Sequence, residues 1–131
     1  MTADDFREMV LAMEGATERS HMGHPDFRAN GRIFASLHSG DRMGMVKLTP
    51  EEQRACMRDA PETFEPSAGA WGRQGCTNVR LATANPRAVR AAVLLAYEAA
   101  LSRPPGRVRK TRAAPKGPVR RGNRRTAKRR S

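Results

Sequence analysis

The sequence has few of the features that mark several large protein classes. Its two cysteines, Cys56 and Cys76, are too few for a disulfide framework, so we expect free thiols. No apolar run approaches the roughly 18 residues that cross a bilayer, and the first residues have neither the basic start nor the apolar core of a signal peptide. These absences favour a soluble cytoplasmic protein without a membrane partner.

Motifs of common enzyme classes are also missing. The sequence has no His-Glu-x-x-His, no Gly-x-Ser-x-Gly and no dinucleotide-binding glycine pattern. His21, His24 and His38 could share a metal ion. Residues three apart on a strand point to opposite faces, however, so we expect ordinary polar or capping histidines and no metal site. The expectation is a protein that is not an enzyme and needs no cofactor.

Acidic residues are absent from residue 103 onward, and this absence divides the chain. Residues 1–102 contain 12 Lys and Arg and 13 Asp and Glu, whereas residues 103–131 contain 13 Lys and Arg and no acid. The net charges are therefore −1 and +13, and all six aromatic residues lie in the first part. We predict a folded domain at 1–102 and a tail at 103–131 that is disordered because it cannot build a core.

The basic tail is the strongest functional signal in the composition. Positive charge without nearby acids releases counterions from phosphates, which favours binding to DNA, or another polyanion such as RNA, without sequence preference. DNA binding would associate the protein with the nucleoid. A solubilising tail, or one that meets acidic proteins or anionic lipid, is the alternative. The residues expected to contact phosphates are Arg107, Arg109, Lys110, Arg112, Lys116, Arg120, Arg121, Arg124, Arg125, Lys128, Arg129 and Arg130.

Residues 22–48 form the centre of the predicted fold, a meander of three strands. Asn30-Gly31 lies between two alternating segments and predicts a tight hairpin, because a type I′ turn needs positive φ at both central residues. A turn at 39–41 leads to the third strand. The apolar residues expected on one face are Phe27 and Ala29 of the first strand and Ile33, Ala35 and Leu37 of the second.

Helices precede and follow this meander. A helix capped by Thr2 is predicted to end at Gly15. A second helix begins with the capping pattern at 49–52 and runs to about Arg58, and the longest covers 87–101 after Asn85-Pro86. An irregular stretch at 61–75 precedes a last strand at 76–82. This order predicts an α+β fold, an antiparallel sheet flanked by helices.

Five short segments occur in an order that is distinctive as a set. They are Gly-His-Pro-Asp-Phe-Arg at 23–28, Asn-Gly-Arg-Ile-Phe-Ala at 30–35, Val-Lys-Leu-Thr-Pro-Glu-Glu-Gln at 46–53, Trp-Gly-Arg-Gln-Gly at 71–75 and Thr-Asn-Val at 77–79. Together they resemble the MmcQ/YjbR family of small bacterial proteins, over about residues 3–101. The resemblance implies an α+β fold like that of secretion chaperones and a non-enzymatic protein, usually described as DNA-binding. It carries over no catalytic residue.

Four polar residues of the domain are candidate contacts. His24 stands between a glycine and a proline, so its ring is expected to be held at the sheet edge, with a structural hydrogen bond as the plainer role. Arg28 and Arg32 flank the Asn-Gly turn and could form a basic patch with Arg73. The plainer interpretation is that these arginines are solvated, with Asp26 near enough to pair with one.

Trp71 lies in a glycine-rich stretch and is the fifth candidate contact. It could stack on a base or on a partner side chain. We expect instead that it folds down as a lid on the core, because a domain with six aromatic residues has few large groups to spare. A second hypothesis for the whole protein follows: the sheet or the Trp71 loop binds a polypeptide, and the tail only localises the protein to nucleic acid.

Overall fold

A computed structural model of the protein describes residues 1–21, 24–38 and 42–102. The beginning of the predicted meander at 22–23, its turn at 39–41 and the predicted disordered tail at 103–131 lie outside the described residues. In the described part the helices are α1 (Ala3–Leu11), α2 (Pro50–Asp59), α3 (Gly69–Arg73) and α4 (Pro86–Ser102). The strands are β1 (Thr17–His21), β2 (His24–Ala29), β3 (Arg32–His38), β4 (Met43–Lys47), β5 (Phe64–Pro66) and β6 (Cys76–Arg80).

The six strands within the described ranges form one antiparallel sheet in the order β1-β2-β3-β4-β6-β5. From β1 to β4 the chain adds each strand beside the previous one, whereas β6 lies between β4 and β5. The sheet and its helices confirm the predicted α+β class. Strands β2, β3 and β4 confirm the predicted meander.

Helices α1 and α4 lie on one face of the sheet and bury their apolar sides against it. Phe6 of α1 contacts Phe27 edge to face, with ring centres 6.3 Å apart, and Phe34 contacts Tyr97 of α4 in the same way at 5.7 Å. Edge-to-face pairs of this kind stabilise a core beyond the burial of their area. The other fully buried large apolar side chains are Val10, Leu37, Val46, Val79, Val89 and Val93.

The sequence predicts the helix beginnings well. Thr2 and Asp5 form a capping box, in which the Thr2 hydroxyl accepts from the Asp5 N–H at 3.0 Å and the Asp5 carboxylate accepts from the Thr2 N–H at 2.9 Å. Hydrogen bonds with Thr2 lower the pKa of the Asp5 carboxyl. The larger effect comes from the backbone N–H of Thr2 and the smaller one from its hydroxyl group. Thr49 and Glu52 repeat the arrangement at the start of α2. Asn85 caps α4 by accepting from the N–H of Arg87 at 3.0 Å.

The predicted end of the first helix is wrong. Helix α1 ends at Leu11, and the N–H of Ala12 makes its last capping bonds. Gly15 has a positive φ of 81°, but it lies in the turn that leads to β1, not at the helix end. The chain leaves the helix early because it must reach Thr17, where pairing with β2 begins.

The hairpin at Asn30-Gly31 is confirmed, with φ values of 56° and 74°. The faces of β3 are only partly as predicted. Arg28 pairs with Ile33 while Phe27 pairs with Ala35, so Phe34 is an extra residue in β3, a β-bulge. The bulge buries Phe34 in the core, whereas Ile33, which was expected there, is only partly buried and lines cavities on the opposite face.

Three elements are absent from the sequence-based prediction. Strand β1 covers a stretch without an apolar pattern, and β5 and α3 lie within the stretch at 61–75 that was expected to be irregular. The last strand also ends earlier than expected, because residues 81–83 form a 3₁₀ turn after Arg80.

Candidate functional site

The sheet face opposite α1 and α4 is called the open face below. Directly opposed residues of antiparallel strands point to the same side, so the register defines a row across the whole sheet. In β2 to β6 this row lies next to buried residues of the same strand, and its members are partly buried or exposed except Asp26. From edge to edge it consists of Arg19, Asp26, Ser36, Met45, Asn78 and Glu65.

Two depressions adjoin here: a central groove on the open face, and an end cavity at the ends of β3, β4 and β6 that extends to α4 on the other side of the sheet. The central groove has a volume of about 470 Å³ and is lined by His24, Pro25, Asp26, Ile33, Ser36, His38, Met45, Lys47, Ser67, Trp71, Cys76 and Asn78. The end cavity has a volume of about 290 Å³ and reaches the last turns of α4, with Arg32, Phe34, Leu48, Thr49, Pro50, Gln74, Ala96, Ala99 and Ala100 in its wall. Ile33, Lys47 and Cys76 line both, so the two depressions adjoin each other.

Trp71 stands at the wall of the central groove with 65% of its surface exposed. The expectation that it forms a lid on the core is therefore wrong. The buried residue of α3 is its neighbour Gly72, where an added Cβ would lie 1.8 Å from the carbonyl oxygen of Ser67. This close backbone approach leaves no room for a side chain at position 72, and the indole ring of the neighbouring Trp71 lies outside the core.

Helix α3 is anchored by a buried amide of α2. The Gln53 side chain is 8% exposed, and its Nε2 donates to the carbonyl oxygens of Gly72 at 3.0 Å and Cys76 at 2.9 Å. Behind α3, Gly75 has a φ of 110° and approaches the carbonyl oxygen of Leu48 so closely that a Cβ would lie 2.0 Å from it. These contacts fix the position of Trp71 relative to the sheet.

Both carboxylates of the row on the open face are neutralised by ion pairs. The Arg28 Nε lies 3.0 Å from Asp26, and an Arg80 guanidinium nitrogen lies 2.8 Å from Glu65. Within the described part of the chain, Arg19 and Lys47 have no carboxylate within ion-pairing distance. The open face therefore has an excess of positive charge although the domain as a whole does not.

The five candidate contacts are distributed over this region. His24 and Trp71 line the central groove, Arg32 lines the end cavity, and Arg73 is exposed on α3 outside the linings of both. Arg28 is held by Asp26, the pairing that the sequence suggests. The structure brings His24 and Trp71 together at one groove, whereas the proposed patch of three arginines is divided among separate positions.

The sequence predicts that His24 lies at the sheet edge. In the structure β1 occupies that edge, and His24 begins the inner strand β2. His38 lines the same groove as His24. Burial lowers the pKa of His38, and the charge of His24 lowers it further. Among the residues that the structure describes, no group of three or more His, Cys, Asp or Glu is arranged to hold a metal ion.

The thiols are poor nucleophiles. Burial is the main influence on both Cys56 and Cys76 and raises their pKa, which keeps the unreactive protonated form at neutral pH. At Cys76 the nearby ammonium of Lys47 acts in the opposite direction. Cys76 is therefore better suited to form the floor of the two depressions than to react.

No pattern in the sequence identifies the remaining groove residues as parts of a site. Ser36, Met45 and Asn78 come from three strands, and only the pairing of β4 with β6 brings Met45 and Asn78 side by side. Alternation along each strand indicates that they lie opposite the core. Nothing in the sequence indicates which strands are neighbours.

Comparison with protein families identifies the fold and its relatives. The family model described as YjbR matches residues 11–99. The chain belongs to the YjbR family. The crystal structure of Deinococcus radiodurans protein DR2400, with the domain DUF419, is similar to this YjbR protein with a TM-score of 0.61 and 17% identity. The alignment covers 73% of this chain and 75% of that one, and it supports the shared fold.

No curated protein matches this YjbR chain. In the described ranges, no helix has both the length and the apolar character to cross a membrane.

Proposed function

We propose that this YjbR protein is a non-enzymatic DNA-binding protein that holds phosphates mainly through the basic segment at 103–131. The observation that carries the proposal is the charge division, with 13 basic and no acidic residues in this segment against a domain of net charge −1. Phosphate contacts by Lys and Arg release counterions and supply most of the sequence-independent affinity for DNA.

The attachment of the segment supports this proposal. Helix α4 ends at Ser102, and the first basic residue of the segment, Arg103, follows at once. In the domain, several arginines are already engaged by carboxylates, such as Arg7 with Glu18 and Arg80 with Glu65. The domain then acts as the folded body that carries the segment and orients it.

A gel shift with duplex DNA tests this proposal. Full-length protein is compared with a 1–102 variant whose fold is verified by its circular dichroism spectrum. We expect the variant to lose at least 100-fold in affinity at the same salt concentration, roughly the effect of losing a few phosphate contacts. Full affinity in the variant would contradict the role of the segment.

Protein recognition by the domain is the second candidate function. It is favoured by the exposed indole of Trp71 beside the central groove, since exposed aromatic residues at a concave surface are typical of interaction sites. Under this alternative the basic segment only localises the protein. A pull-down with the domain would then recover one defined protein after nuclease treatment, and Trp71→Ala would abolish the recovery.

A further inference from the structure

The geometry points to a track for single-stranded nucleic acid on the open face. An unpaired base stacks on Trp71 in the central groove, and the adjoining backbone passes Lys47 and continues along the end cavity beside the last turns of α4. This inference rests on the proposed function and adds to it a ligand class, a strand with unpaired bases, and a place where it lies.

The position of the two depressions side by side gives the track its direction. The central groove and the end cavity share Lys47. The far wall of the end cavity is formed by Ala99 and Ala100 of α4, a helix that ends at Ser102. A strand that leaves the central groove past Lys47 therefore passes the last turns of α4, the helix that the run of 13 basic residues follows in the sequence.

The groove carries the groups that recognise a base. The indole of Trp71 is a flat aromatic surface, and α3 is held in place by the bonds from Gln53 to Gly72 and Cys76. Ser67 donates its hydroxyl hydrogen to Asn78 Oδ1 at 2.8 Å, which leaves the amide NH₂ of Asn78 as a donor toward a base edge. Stacking on an aromatic ring tolerates every base, and it suits a protein without sequence preference.

Charge favours a nucleotide strand over a peptide. Asp26 and Glu65 are neutralised by their arginines, so Arg19 and Lys47 leave the open face positive. The exposed lining of the central groove is mostly apolar, which suits the flat face of an unpaired base, and Ser36 and Asn78 add a few polar groups for its edge. A strand of nucleotides also supplies phosphates for Arg19 and Lys47, which an apolar peptide lacks.

Base pairing determines whether a nucleic acid can stack on Trp71. In a duplex the faces of the bases are stacked on each other, so a base reaches an indole ring only after it leaves the stack. Trp71 therefore separates the two ligand forms: single strands contact both the track and the basic segment, whereas duplex DNA contacts the basic segment alone.

The test uses the intrinsic fluorescence of the full-length protein, because Trp71 is its only tryptophan. Oligo(dT) and oligo(U) of about 12 nucleotides, a length within the range of single-strand sites, are titrated at fixed salt beside a duplex of equal length. We expect quenching of the Trp71 emission by the single strands and little change with the duplex. Comparison of oligo(dT) with oligo(U) shows whether the track prefers DNA or RNA.

Single-residue variants then test whether single strands bind along the track. Their affinities are measured by fluorescence anisotropy of labelled oligonucleotides. We expect Trp71→Ala to weaken single-strand binding roughly 5- to 100-fold while duplex binding is unchanged, and Trp71→Phe to retain most of the affinity. Lys47→Gln should weaken single-strand binding and reduce its salt dependence by about one phosphate contact. Leu94→Ala and Arg90→Gln are matched controls on the exposed side of α4, and neither should change single-strand binding.

The outcomes separate this inference from the function on which it rests. Duplex binding that needs residues 103–131, together with unchanged Trp71 emission in the presence of either single strand, overturns the track and leaves the proposed function standing. Equal losses for single strands and duplex in Trp71→Ala also overturn it. Failure of the full-length protein to bind any of the three ligands contradicts both.

Discussion

Gly72 and Gln53 show how single residues determine the site. Because Gly72 has no side chain, α3 can approach the backbone of Ser67, and the carbonyl oxygen of Gly72 can accept from Gln53. Trp71, one residue earlier, lies at the wall of the central groove with most of its surface exposed. The sequence shows a glycine-rich stretch but not which glycine is in close contact, and the small number of aromatic residues alone favours a buried Trp71.

Substitution of Gly72 tests this explanation. Gly72→Ala places a Cβ against backbone that cannot move cheaply, so we expect a loss of about 2–4 kcal/mol in the free energy of unfolding, measured by urea denaturation. Gly69→Ala is the matched control: its φ of 65° is strained for alanine, but no atom lies within 4 Å of the added Cβ. It should lose only about 1 kcal/mol. Equal losses in the two variants would contradict the steric role of Gly72.

The lowered pKa of His38 predicts the sign of one contribution to the pH dependence of stability. Since burial and the charge of His24 lower the pKa of His38, the folded protein binds fewer protons than the unfolded chain. The contribution of His38 to stability is therefore complete above the ordinary histidine pKa of about 6.5 and is lost as the pH falls toward the folded value. NMR titration should find the imidazole of His38 titrating below that of a model peptide.

The variant His24→Gln separates the two causes of this shift. It should raise the pKa of His38 without restoring the ordinary value, because burial is the larger cause. A pKa of His38 that is unchanged in His24→Gln would show that the two rings do not interact.

At the scale of elements, local signals were sufficient for some parts of the fold and insufficient for others. The Asn30-Gly31 hairpin and the capping boxes depend on a few neighbouring residues, so the sequence predicts them. Strand β1, Thr-Glu-Arg-Ser-His, has no apolar side chain to reveal it, because it lies at the sheet edge. The bulge at Phe34 depends on a contact with Tyr97 from a distant helix and leaves no local pattern.

Gln53 provides a test of how α2, α3 and β6 are joined. Gln53→Ala removes both donors to the carbonyl oxygens of Gly72 and Cys76 in a buried position, so we expect a loss of about 2–3 kcal/mol in the free energy of unfolding. The neighbouring substitution Arg54→Ala, at an exposed position of the same helix, should change stability by less than about 0.5 kcal/mol.

Trp71 fluorescence reports on the same variant. Because Gln53 holds α3 in place, Gln53→Ala should change the emission maximum of the native protein, whereas Arg54→Ala should leave it unchanged. Thermal unfolding at a single midpoint in both variants is the control for a folded state. Unchanged stability and emission in Gln53→Ala would contradict the anchoring role.

At the scale of the whole molecule, the division of the chain was visible in the sequence, whereas the groove was not. The charge division at residue 103 is a property of composition alone. The central groove needs His24, Met45, Asn78 and Trp71 from four separate segments, and their proximity follows only from the order of the strands. The sequence therefore indicates a class of partner before it indicates a place on the domain where that partner can lie.

If residues 103–131 hold the phosphates, most of the affinity for duplex DNA comes from the charges of this segment. The salt dependence of duplex binding, compared between full-length protein and the 1–102 variant, tests this most directly. With about 6–10 phosphate contacts, full-length affinity should fall by roughly 10³- to 10⁵-fold between 50 and 200 mM salt, and the variant should retain only a small fraction of that slope. The same steep slope in both proteins, or a flat response of the full-length protein, would contradict the account.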